Sequence, residues 1–325
     1  MSIDMHAHWM PQELQAALRG SGAGDGRVDT PEARLAEMDV QGFSHSILSR
    51  SPAQAVENLP VEEALPLCRS FNDATAAACS AYPERFSGFA ALPNVDMEVM
   101  IEEFERAMDN PGMVGAVLPS DGFLSLRRAE KFRPLLRAAN ERGAMFLVHY
   151  GRLAGNENAW PTEFSDNPAP RRGTIDMQAR LSQNMITFCL TDLLADYPNV
   201  VIVSHNLGGN IPFEIERMDH RTIVDRPDEE LPSKRIRETP ILVDCNSFGP
   251  RAIELAVAAY GADKVVCGSD GTSFGMEWTN RAVSEARITD TEKEMIRQGN
   301  AEAALSRVGR NITPLLKPAA DTPLS

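Results

Sequence analysis

A strand-like apolar run followed by a helical segment, repeated eight times, is what most constrains this chain. The runs are SIDMHAH (2–8), FSHSILS (43–49), RFSGFAALP (85–93), MVGAVLPS (113–120), AMFLVHY (144–150), VVIVSHN (200–206), ILVDCN (241–246) and KVVCGSD (264–270). They are rich in Val, Ile, Leu and Phe and lack strict alternation, as strands buried on both faces do. The segments between them carry helix signals. TPEARLAEMDVQG opens on Thr-Pro and stops at Gly42; RRAEKFRPLLRAANERG stops at Gly143. Eight alternations predict parallel strands with helical crossovers, closed into a (β/α)8 TIM barrel. One barrel domain over residues 1–310 accounts for the pattern, and the Pro-rich end, residues 311–325, reads as a tail. A long irregular loop, residues 151–175, follows the fifth strand. Its Trp160 and Phe164 could cap a pocket, and its Arg152, Arg171 and Arg172 could meet an anion; packing against a partner subunit is the equal alternative.

Lys and Arg total 32 against 46 Asp and Glu, a net charge of -14. With no basic run, such a chain repels phosphate backbones and anionic lipid, so neither nucleic acid nor membrane is expected as a partner. A small anionic substrate stays compatible, because local arginines override the global field. Cys68, Cys79, Cys189, Cys245 and Cys267 sit in apolar runs with no Cys-x-x-Cys pair, which reads as reduced, packed thiols of a cytoplasmic protein. No apolar stretch is long enough to span a bilayer, and no signal peptide is expected.

The histidines sort by position. His6 and His8 end the first run, His149 the fifth and His205 the sixth, while Asp270 ends the eighth. In a (β/α)8 barrel the carboxyl-terminal rim is where chemistry is done. His6 and His8 are two residues apart, so a strand would aim both at one point. Three imidazoles and a carboxylate suit one divalent ion with an open position for water or substrate. His205 then reads as a general acid or base, with a fourth nitrogen ligand as the alternative. Asp270 could handle a proton beside the metal rather than bind it. His45, mid-strand, reads as structural, and His220 as a solvated helix residue.

The stretches IDMHAHWMP, CRSFNDATAAACSAYPERFSGFAALP, VHY, SHNLGGNIPFEIERMD, GSD and GNAEAALSRV resemble the amidohydrolase superfamily, in the branch of the aminocarboxymuconate-semialdehyde, 2,6-dihydroxybenzoate and 6-methylsalicylate decarboxylases. The resemblance runs from Ile3 to about Val308. It implies that His6, His8, His149 and Asp270 hold the metal, zinc or alternatively manganese, and that His205 is catalytic. It also implies a homodimer or higher homo-oligomer and a small carboxylic acid substrate. The implied reaction is non-oxidative decarboxylation of an aromatic or unsaturated hydroxycarboxylic acid. The alternative in the same superfamily is hydrolysis of a carbon–carbon, ester or lactone bond, or hydration; a metal-free binding module is disfavoured by the full set of rim groups. For the substrate carboxylate the resemblance points to an arginine after the sixth-strand histidine, Arg217 in preference to Arg221. Arg50, at the rim end of the second strand, is a further candidate, and Trp9 could face the substrate ring. Three departures fall at the pocket mouth. SHNLGGN is one residue longer than the branch pattern, GTSFG replaces Tyr-Pro-Phe after GSD, and Tyr150 stands where proline is usual. Tyr150 is read as a substrate-binding residue, with packing as the alternative.

Overall fold

The computed structural model describes residues 1–12, 14–15, 30–51, 56–153, 171–271 and 275–312. Eight strands form one parallel sheet in sequence order. They are β1 (Ser2–His8), β2 (Phe43–Ser49), β3 (Phe86–Ala90), β4 (Met113–Pro119), β5 (Met145–His149), β6 (Val201–Ser204), β7 (Ile241–Asp244) and β8 (Val265–Val266). Met5 N–H donates to Cys267 O and Asp270 N–H to His6 O, both at 3.0 Å, which ties the last strand and its exit back to the first. The expected barrel is thereby present.

The helices that cover the barrel form where the sequence caps them. In α1 (Pro31–Gln41) the Thr30 side chain accepts Ala33 N–H, and Gly42 ends the helix in a left-handed conformation. The other crossover helices are α2 (Val61–Ala81), α3 (Met97–Met108), α4 (Arg133–Arg142), α5 (Met177–Cys189), α6 (Ile211–Asp225), α7 (Pro232–Glu238), α8 (Pro250–Tyr260) and α9 (Met276–Glu285); α10 (Asn300–Arg307) ends the fold. The long loop is shorter than its irregular sequence suggests, because Arg171–Asp176 form a π-helical turn leading into α5. Trp160, Phe164 and the tail from residue 313 lie outside the described residues. No described helix is long and apolar enough to cross a membrane. All five cysteines are buried free thiols.

Two apolar layers result. The outer one lies between strands and helices. The inner one is a plug of Ile3, Met5, Ile47, Phe89, Val114, Met145, Leu147, Val201, Val203 and Val266, with Ala301 and Leu305 of α10 packed against it. Each fully buried Val, Leu or Ile contributes about 1.5–3 kcal/mol. This plug positions the rim, because alternate residues of a strand share a face. Met145 and Leu147 are followed on their face by His149, Val201 and Val203 by His205, and Ile47 by Ser49.

β1 breaks that rule once. Asp4 pairs with Ser46 and Ala7 with Leu48, so three steps on β1 oppose two on β2. Such a bulge re-aims the side chains beyond it. Ile3 and Met5 belong to the inner plug, yet Ala7 joins the outer layer, and His6 and His8 face inward. Trp9 shares the parity of Ala7. It is buried against Phe71 of α2, and its indole N–H donates to Thr75 Oγ1 at 3.2 Å. The expectation that Trp9 faces a substrate ring is therefore corrected: the bulge turns it into the helix-facing core. His45 is structural as expected, held between Ser87 Oγ at 2.9 Å and Glu84 O at 3.0 Å.

Close strand approach at β4 gives a test. A Cβ on Gly115 would land on the Met145 carbonyl, whereas one on Gly42, also at positive φ, would meet nothing within 4 Å. Gly42→Ala is expected to cost about 1 kcal/mol in chemical denaturation, from backbone conformation alone. Gly115→Ala adds a backbone clash and is expected to cost about 3 kcal/mol or more, or to abolish soluble expression.

Candidate metal centre

Four side chains converge at the carboxyl-terminal rim: His6, His8, His149 and Asp270 each offer one ligand atom, all within 4.8 Å of one another. His8 Nε2 lies 3.0 Å from both His6 Nε2 and His149 Nε2. Asp270 Oδ1 lies 3.3, 3.1 and 3.9 Å from the Nε2 atoms of His6, His8 and His149. The four residues expected from sequence to hold a metal are those the fold brings together.

The opposite edge of each ring explains why these nitrogens point inward. His6 Nδ1 donates to Asp244 Oδ2 at 3.1 Å and His149 Nδ1 to Tyr150 O at 2.9 Å, while His8 Nδ1 pairs with Ser49 Oγ at 2.9 Å. A carboxylate or carbonyl can only accept, so the protons of His6 and His149 sit on Nδ1 in the neutral rings. Their Nε2 lone pairs then face the cluster. Lone pairs 3.0 Å apart repel unless a cation lies among them, and three nitrogens with one carboxylate oxygen suit a zinc-like or manganese-like ion. The residues present therefore fit a divalent metal.

Charge at the site tells the same story. Burial opposes protonation of His6, yet Asp244 and then Asp270 outweigh it and push its pKa up to about 10. Burial and then the neighbouring His6 push His8 down to about 3. Burial raises the Asp270 carboxyl, but the neighbouring imidazoles of His149, His6 and His8 hold it well below the usual carboxylate range. The cluster demands positive charge, supplied by a proton on His6 when no metal competes.

His205 lies beside these four, within ligand distance of His6 and Asp244 in a second grouping. Its ring stacks on His149 at 4.1 Å between centroids and sits edge-on to His6 at 4.8 Å. Burial and then His149 hold its pKa well below 6.5. Its Nδ1 accepts Tyr150 N–H at 3.3 Å, and among the described residues its buried Nε2 has no partner. Tyr150 thus meets both histidines through its main chain, while burial pushes its phenol up to about 12.

The remaining expected residues fall in different places. Arg50 is 1% exposed and pairs with Glu57 Oε1 at 3.1 Å, while its Nε and Nη2 find no partner among the described residues. Arg217 and Arg221 lie exposed on α6, and Arg221 pairs with Asp225. Ile211 and Ile215 turn the inner face of α6 to the core, which leaves Arg217 on the solvent side, outside the cluster. His220 is exposed as expected.

Sequence reasoning missed the supports. Asp244 accepts from His6 Nδ1, Asn206 N, Asn246 N and Asn246 Nδ2, so its carboxylate is saturated and orients His6 rather than opening a second cation site. Asp4 accepts His6 N–H, Ser269 N–H and Ser269 Oγ–H, which pins the turn carrying Asp270 to β1. The signal available was a lone aspartate in each apolar strand, SIDMHAH and ILVDCN.

A family model described as Amidohydrolase matches residues 3–307. The gamma-resorcylate decarboxylase of a Rhizobium species is 24% identical over 289 residues, 84% of this chain and 86% of that protein. A crystal structure of 2,6-dihydroxybenzoate decarboxylase with 2,6-dihydroxybenzoate superposes with a TM-score of 0.76 at 20% identity, covering 94% of this chain and 99% of that one. A dihydroxybenzoic acid decarboxylase from Polaromonas, solved with manganese and 2-nitroresorcinol, superposes at 0.75 with 21% identity, covering 94% and 96%.

Two measurements test the centre. Asp244→Asn is expected to weaken zinc or manganese affinity roughly 10–100-fold in chelator competition, because the carboxylate partner of a ligating imidazole is lost. Because His6 holds a proton up to about pH 10 in the metal-free chain, metal uptake must release it. Affinity is then expected to rise with pH, by about tenfold per unit for each proton released. A pH-independent affinity would contradict this assignment.

Proposed function

The chain belongs to the amidohydrolase family, and from that premise we propose that it is a metal-dependent, non-oxidative decarboxylase of an aromatic or unsaturated hydroxycarboxylic acid. The observation that carries the reading is the meeting of three imidazole nitrogens and one carboxylate oxygen at the rim. The decarboxylases named above, similar over most of their length, give the reading its reaction class.

His6, His8, His149 and Asp270 would hold the ion, zinc or manganese. When bound, that ion supplies Lewis acidity and charge for a substrate carboxylate and a neighbouring oxygen. The protein's own groups do the rest. The buried Arg50 guanidinium, its charge balanced by Glu57, keeps Nε and Nη2 for a carboxylate fork. In sequence it follows Ser49, the partner of His8 Nδ1. Loss of carbon dioxide leaves an electron pair on carbon, which an adjacent hydroxyl or carbonyl delocalises, and a proton must then reach that carbon. His205 Nε2 and Asp270 Oδ2 are the rim atoms able to hold one. The half-buried Tyr150 stands beside both histidines, where its ring would border the bound acid. A cytoplasmic location agrees with five buried free thiols. Assembly as a homodimer completes the reading; Phe213, Ile223 and Val224 stand exposed on α6.

Zinc- or manganese-loaded protein is expected to release carbon dioxide from at least one member of a panel of ortho-hydroxybenzoic acids, and chelation should abolish this reversibly. Arg50→Lys keeps the charge but not the fork, so KM is expected to rise about tenfold or more. Release of a hydrolysis product, with no carbon dioxide from any acid, would sink the decarboxylase reading.

A further inference from the structure

Tyr150 stands between two histidines and offers each a different main-chain group. Its carbonyl lies 2.9 Å from His149 Nδ1, and its N–H lies 3.3 Å from His205 Nδ1. A carbonyl only accepts and an amide N–H only donates. His149 must therefore keep its proton on Nδ1, and neutral His205 must keep its single proton on Nε2. We infer that the main chain of Tyr150 locks two stacked imidazoles into opposite tautomers, making His149 a metal ligand and His205 an N–H donor turned to the bound acid. The opposite tautomer of His205 would set two N–H groups against each other in a buried place.

The lock is rigid because its neighbours are pinned. Gly151 N–H donates to Ser120 Oγ at 3.2 Å, and Gly151 O accepts Asp121 N–H at 3.1 Å. His205 N–H donates to Val148 O at 3.1 Å, so the backbone on both sides of the contact is fixed. The buried His205 Nε2, without a partner among the described residues, is then a donor awaiting an acceptor. It recognises an oxygen with a free lone pair, such as a carboxylate, phenolate or carbonyl oxygen. It does not draw a proton from water, which is what a hydrolase would need of it. This ligand class rests on the decarboxylase reading; the tautomer itself does not.

The test is ring-15N histidine labelling of the zinc-loaded full-length chain, with two-bond 1H–15N correlation spectra. His205 is assigned by the signals lost in His205→Asn. The expected result is one fixed tautomer for His205, with a pyrrole-type Nε2 and a pyridine-type Nδ1. Tyr150→Phe and Tyr150→Ala keep the amide and should keep that pattern. Tyr150→Pro removes the main-chain N–H, and also fixes φ there, and the His205 nitrogens should then shift toward an averaged or reversed pattern. A protonated Nδ1, a zinc-bound Nε2 or a tautomeric mixture in the unaltered protein would overturn the inference, as would an unchanged pattern in a folded Tyr150→Pro. Should that variant not fold, the spectra of the unaltered protein and Tyr150→Phe decide. A fixed Nε2–H tautomer in a protein that releases no carbon dioxide would refute the decarboxylase reading and leave the lock standing.

Discussion

Nitrogen lone pairs repel one another, and the rim of this barrel holds three of them beside a carboxylate oxygen in a space almost closed to water. Nothing in the rings themselves demands this. On two of them it is imposed from behind, by Asp244 on His6 and the Tyr150 carbonyl on His149, while Ser49 orients the ring of His8. Those partners are fixed in turn by the strand pleat, which stacks the ligands on an apolar plug. The cluster is therefore under electrostatic tension that positive charge relieves, and the raised affinity of His6 for a proton is one expression of it. A metal ion satisfies the same demand from more directions at once.

Much of this was readable in the chain, for physical reasons that differ by element. Strands buried on both faces advertise themselves by apolar runs, and seven of the eight ended within a few residues of where composition placed them. The eighth shrank to Val265–Val266, because the residues after it leave the sheet to present Asp270. That two histidines shared a face followed from their spacing. Which face they shared did not, because it depends on a register slip against β2 that no local pattern records. The same slip sent Trp9 into the core. The solvent-side place of Arg217 was legible too, since Ile211 and Ile215 mark the opposite side of its helix. Asp4 and Asp244 were visible as carboxylates in apolar strands, yet their partners lie far away in sequence, so only the closed barrel shows what they hold.

Backbone strain gathers at the same rim. Four described residues other than glycine have positive φ: Asn206 and Leu207 after β6, Ser247 after β7 and Asp270 after β8. Each such conformation costs about 1–2 kcal/mol. At Asp270 the cost is offset by Asp4, whose carboxylate grips Ser269, and by Gly271, where any Cβ would strike the His8 carbonyl. The Asp270 carboxylate is thus held in place by a turn that would relax without its supports.

The hydrogen bond from the Asp270 N–H to the carbonyl of His6 joins the two ends of the sheet at two of the residues proposed to hold the ion. Synthesis runs from the amino end, so His6 and His8 are made long before Asp270, with His149 between them. The fourth proposed ligand thus arrives together with ring closure, so a product truncated before Asp270 would be both open and short of that carboxylate.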